Sequence, residues 1–135
     1  MDLQNLAYAL TQVAHNFGAV TVVAGPLYVL IVSQSRRERG ALWLTLSGWA
    51  VQIASGALFG IVSFYSYGQL PDIHGIAVAA LLIKMACAIT AVVLIAVSLR
   101  ARDRYSDRRA AVTWRALAAL GITAITAAAF LRWFS

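Results

Sequence analysis

Acidic side chains are scarce in this 135-residue chain. Five Asp and Glu stand against eleven Lys and Arg, and none of the five falls within residues 3–33, 41–67, 76–99 or 110–134. That absence argues against the commonest design for proton-coupled transport, a membrane carboxylate that alternates between charged and neutral. Cysteine occurs once, as Cys87, which excludes an intrachain disulfide framework and a zinc pattern. Histidine is limited to His15 and His74, and Lys84 is the lone lysine. No stretch repeats and no linker is rich in Pro, Gly or Ser, so residues 1–135 read as a single domain.

Apolar surface is what the chain has in excess. With 61% hydrophobic and 12% charged residues and a mean hydropathy of +0.78, it carries more than a soluble domain of this size buries, and it belongs in a bilayer. The four acid-free runs are each at least as long as the ~20 helical residues that cross ~30 Å of hydrocarbon. The alternation of a β-barrel strand is absent, which leaves helices as the way to satisfy the backbone in lipid. Short connections make neighbours of successive helices. The expected fold is therefore all-α: a four-helix transmembrane bundle with helices at about 3–33, 41–67, 76–99 and 110–134, in antiparallel up-down order.

Orientation follows from the arginines. Arg36, Arg37 and Arg39 fill the first connection, Arg100, Arg102, Arg104, Arg108 and Arg109 the third, and Arg115 lies just inside the fourth span. The second connection, "GQLPDIHG", has no basic residue, nor does the chain before the first span. Basic residues gather in cytoplasmic loops, so loops 34–40 and 100–109 are expected in the cytoplasm of a bacterial inner membrane, with both termini outward. The first span lacks the basic lead and short apolar core of a cleavable signal peptide and is read as a retained helix. Topology accounts for the net charge of +6 without a nucleic-acid partner.

Within the first span, "AHNFGAVTVVAG" at residues 14–25 puts His15 and Asn16 at the head of an otherwise apolar stretch that runs on to Val32. Counting about 1.5 Å per residue from the flanking cytoplasmic residues puts His15, Lys84, Gly56, Gly60 and Thr126 in one slab, roughly 24 to 31 Å up. Gln52 counts deeper, at roughly 18 Å, and His74 higher, at roughly 39 Å. A lysine in the membrane costs about 2.5 to 3.5 kcal/mol on insertion scales, and no carboxylate is present at that depth to pair with it. Either its stem snorkels to water, or its head contacts an anion such as a propionate, a quinone oxygen, or lies neutral. His15 is either hydrogen-bonded to Asn or Thr within the bundle or an axial ligand to iron, with His74 as the available second ligand. Gly56 and Gly60, in "GALFG", have the spacing that lets another helix backbone approach, or they leave room for a flat cofactor. The candidate cofactor site is thus His15, Lys84, His74, Asn16 and Gly56, with His15 and His74 as candidate metal ligands.

His15 followed by Gly25, Ser55 with Gly56, and a third span "LLIKMACAITAVVLIAVSLR" with Gly75, Lys84 and Arg100 resemble the CopD/HemJ-like small polytopic bacterial membrane proteins. The resemblance implies haem-associated or copper-associated chemistry, with His15 as haem or metal ligand and Lys84 as its companion. Copper handling would bring methionine or histidine clusters, whereas methionine occurs only at Met1 and Met85. The function expected is a haem b-associated membrane subunit or anchor of a redox complex. The alternatives are a HemJ-like protoporphyrinogen oxidase and a cofactor-free accessory subunit. Expected partners are the lipid bilayer, other membrane subunits or further copies of the chain, and a quinone or porphyrin.

Overall fold

A computed structural model of the chain describes residues 3–33, 35, 38–67, 74–101 and 106–134. They form four helices packed as a bundle: α1 (Leu3–Ile31), α2 (Arg39–Tyr67), α3 (Ile76–Ala101) and α4 (Asp107–Phe134). Each contains a stretch long and apolar enough to cross a membrane, as in a multi-pass membrane protein. Arg36, Arg37, Pro71, Asp72, Arg102 and Arg104 lie outside the described residues.

The helix limits differ from the apolar runs where arginine is involved. Arg39, Arg100, Arg108 and Arg109 are helical rather than in loops. The apolar run ends where charge begins, but the helix has no reason to end there, because arginine is a good helix former and its stem reaches toward water. Ser106 caps α4: its hydroxyl accepts from Arg109 N–H at 3.3 Å, and Asp107 follows in the first turn. Gly75, immediately before α3, has φ of 52°, a backbone region open to glycine at little cost.

Helices α1 and α2 pack closely, as do α3 and α4; α1 also packs on α4, and α2 touches α3 least. Small residues set the α1–α2 seam. An added Cβ on Gly18 would lie 3.1 Å from Gly48 O, one on Gly48 2.9 Å from Thr21 Cβ, and one on Gly25 2.5 Å from Thr45 Oγ1. The expectation that "GALFG" forms the close helix contact is corrected. Among the described residues nothing lies within 4 Å of a Cβ on Gly56 or Gly60, and Gly18, Gly25, Gly48 and Gly121 make the close approaches instead. Identifying a packing glycine needs the partner's register, which spacing within one helix does not carry.

Gly121 has a particular task. α1 continues through the buried Pro26, whose missing N–H frees the carbonyl of Val22, four residues back. A Cβ on Gly121 would lie 2.8 Å from that oxygen, so the bare Cα of α4 sits against it, as membrane helices with proline require of a neighbour. Gly121→Ala should cost about 1–3 kcal/mol, because the obstacle is backbone and has no rotamer to change. Gly56→Ala and Gly60→Ala, facing open space, should be neutral or slightly stabilising. Detergent-titration unfolding midpoints of the three variants check the contrast.

The apolar core joins Val22 and Val29 of α1, Trp49 of α2, Ala91 and Ile95 of α3, and Trp114 and Leu117 of α4. No member comes from before Val22 in α1, after Trp49 in α2 or before Cys87 in α3. Its large side chains thus fill the half of the bundle near the arginine-flanked helix ends, while Ala77 and Ala80 of α3 and Ala124 and Ala127 of α4 are buried farther along. In the other half a polar cluster joins α1, α2 and α3.

Candidate functional site

The buried residues of α3 are Ala77, Ala80, Cys87, Ala88, Ala91 and Ile95. Lys84 is seven residues after Ala77, four after Ala80 and three before Cys87, which puts it on that same inward stripe. Alanine above and below it leaves space for the long stem, and the residue is half-buried. Its Nζ lies 3.1 Å from His15 Nε2. The backbones of α1 and α3 make no close approach among the described residues, so this side-chain bond spans the diagonal of the bundle.

The other ring nitrogen of His15, Nδ1, lies 2.7 Å from Ser55 Oγ, and Ser55 is 3% exposed. The Ser55 hydroxyl donates in turn to Val51 O at 2.6 Å. With Lys84 charged, these contacts assign the proton positions. An ammonium only donates, so Nε2 accepts; the neutral ring then carries its proton on Nδ1 and donates to Ser55, whose own proton goes to the Val51 carbonyl. Gln52 Nε2 donates to the backbone carbonyl of His15. The edge of Phe59 meets the imidazole at 5.7 Å and 70°, and Tyr8 stacks on Phe59 at 6.3 Å.

The structure therefore brings together two of the five expected site residues, His15 and Lys84. Gly56 borders them through its neighbour Ser55, with open space at its Cα. Asn16 is exposed, and its Oδ1 accepts from Gln12 Nε2 at 2.9 Å. His74 is exposed just ahead of α3, and its carbonyl accepts from Ala77 N–H. Thr126 donates to Ile122 O at 2.9 Å and, with Thr123, lines a shallow α3–α4 groove with a volume of about 400 Å³. Two adjustments follow. Gln52, placed deeper by counting, meets the His15 carbonyl because α1 ends at Ile31, which puts His15 lower, at roughly 24 Å from its helix end, and because the Gln52 side chain spans about a helical turn. Ser55, read only as part of a Ser-Gly pair, is a direct partner of the imidazole; its signal was spacing, since Thr45, Gly48, Gln52 and Ser55 recur every three to four residues on the face turned to α1.

An iron needs one imidazole nitrogen. His15 as held has none to spare, since Lys84 occupies Nε2 and Ser55 occupies Nδ1. Axial ligation would require Lys84 to leave Nε2, so the ring in this arrangement does not fit a haem iron. Among the described residues, no three of His, Cys, Asp and Glu gather into a group that would hold a metal. The ammonium is different. Two of its three N–H groups have no acceptor among the described residues, and no carboxylate lies within residues 108–134 of α4 or anywhere in α1, α2 or α3. The arrangement offers charge and hydrogen bonds to an anion rather than a lone pair to a metal.

No protein-family model, curated protein or solved structure matches this chain.

Proposed function

We propose that the chain is a membrane subunit of a bacterial redox complex. It lies in the inner membrane with antiparallel helices and outward termini, and uses Lys84 and His15 to hold the acidic or carbonyl head of a membrane-soluble cofactor, a porphyrin propionate or a quinone oxygen. The observation supporting this reading is the inward Lys84 amine bonded to His15 Nε2, with no carboxylate beside it among the described residues. An interior lysine is expensive in lipid and is retained where it has a task. The relay to Ser55 sets the tautomer, so His15 supports Lys84 and leaves the ammonium free to turn toward a ligand. The positive-inside bias of the arginines supports the orientation.

Gentle extraction with any partner subunits, followed by an optical spectrum, metal analysis and quinone assay, tests the proposal. Wild-type protein should retain a porphyrin or quinone, with retention falling roughly tenfold in Lys84→Met, the loss expected for one charge-assisted bond. Undiminished retention in that variant overturns the role of Lys84. A Soret band that survives His15→Ala is the result expected for a porphyrin held through Lys84, and its loss in that variant overturns the supporting role given to His15. Complementation of a strain lacking protoporphyrinogen oxidation would extend the reading to catalysis. The self-contained bonding of the imidazole favours a second reading, a cofactor-free accessory subunit, and a colourless preparation free of quinone that still co-purifies with partners would establish it.

A further inference from the structure

We infer that the Lys84 site opens sideways into the bilayer through a gap between α2 and α3, and that what it admits is a compact carboxylate on an apolar body. The inference rests on the ligand-holding role of Lys84 and adds the route and the chemical class.

The gap follows from one stripe of α2. At about 100° per residue, Trp49, Gly56 and Gly60 lie within about 40° of one another around the helix. At the level of Trp49 the core fills this direction, and that side chain is 1% exposed. Two turns farther along, Gly56 is exposed, and a Cβ on it or on Gly60 would meet nothing within 4 Å among the described residues. The same stripe is closed below and open above. The helix that would close it is α3, the neighbour α2 touches least, and the buried residues of α3 ahead of Lys84 are the small Ala77 and Ala80 among the described residues. Lys84 lies between these alanines and Cys87 on the inward stripe of α3.

The ligand class follows from charge and depth. A quinone carbonyl would accept an N–H from Lys84 but leave its charge uncompensated, whereas a carboxylate does both. Lys84 is eight residues inside α3, roughly 12 Å from that helix end, below the headgroup layer where a phospholipid phosphate resides. A small carboxylate on a chain or flat ring sinks that far more readily than a hydrated phosphodiester. Trp49 supplies a second donor without an acceptor: its buried Nε1–H has no partner among the described residues and lies on the same stripe, about 10 Å deeper than Gly56.

The test uses the full chain in nanodiscs with doxyl-labelled stearic acid, read by electron paramagnetic resonance as a motionally restricted component. The acid should bind roughly tenfold more tightly than its methyl ester, and Lys84→Met should remove that preference while Lys84→Arg retains it. Gly56→Leu should weaken binding severalfold while leaving Lys84, His15 and Ser55 in place. Circular dichroism and gel filtration confirm that each variant folds. Equal binding of acid and ester, or an unchanged preference in Lys84→Met, overturns the carboxylate class. Wild-type binding in Gly56→Leu overturns the lateral route. Loss of cofactor in Lys84→Met without any acid preference leaves the redox reading standing and overturns this inference alone.

Discussion

Replacing Lys84 by methionine is expected to make the protein harder to unfold while removing its ligand binding. Methionine has a similar length and no charge, so the change deletes an insertion cost of about 2.5–3.5 kcal/mol. Against this stand the lost bond to His15, about 0.6 kcal/mol for an average polar contact between membrane helices, and the exposed Nε2 acceptor, about 1 kcal/mol or more. The balance favours the variant by roughly 1 kcal/mol. His15→Phe, which breaks the same bond from the other side, should have the opposite sign. It strands the ammonium beside an apolar ring and should destabilise by about 1–3 kcal/mol. The double variant should lie close to Lys84→Met, because loss of the His15–Ser55 bond is roughly offset by removal of the unpaired Nε2 acceptor. Unfolding midpoints in a detergent series check all three. If Lys84→Met destabilises as much as His15→Phe, the lysine is a structural member of the cluster and its retention needs no ligand.

The same contrast explains how much of the molecule was legible beforehand. The four spans were, because twenty or more apolar residues in a row have few alternatives in lipid. The shared layer of His15 and Lys84 was also legible, since 1.5 Å per residue is a reliable ruler along a helix. Which face each helix buries was not. In water, leucine and valine mark the inside; here α3 buries Ala77, Ala80, Ala88 and Ala91 and turns Leu82, Ile83, Ile89 and Val93 to the surface. Lipid is as apolar as any core, so hydrophobicity stops discriminating and small size takes over as the signal of contact. Lys84 can be placed on the inward stripe only after that inversion is recognised. Side-chain reach blurred the remainder, and it is why Gln52 meets His15 from a position three residues deeper in α2 than Ser55.

The α1–α2 seam yields the sharpest energetic forecast. An added Cβ on Gly25 would sit 2.5 Å from Thr45 Oγ1 but 3.7 Å from Thr45 Cβ, so the hydroxyl alone is in the way. Thr45 is fully buried and its hydroxyl already donates to Ala41 O at 2.8 Å, which leaves it little freedom to swing aside. Gly25→Ala should therefore destabilise by about 1–3 kcal/mol. Thr45→Ala removes the obstructing atom and converts the clash into ordinary contact. In the double variant most of the loss should return, with a coupling energy of roughly 1–2 kcal/mol. Recovery should be incomplete, because Gly25 precedes Pro26, and a Cβ at that position also crowds the proline ring in helical geometry. The cycle thus separates two reasons for glycine at one site: the part restored by Thr45→Ala belongs to the helix seam, and the part that is not belongs to the proline. Thr45→Ser, which keeps the oxygen and drops only the methyl, should restore almost nothing; full rescue by serine would mean that the two helices can move apart and that the seam is not held at the distance described.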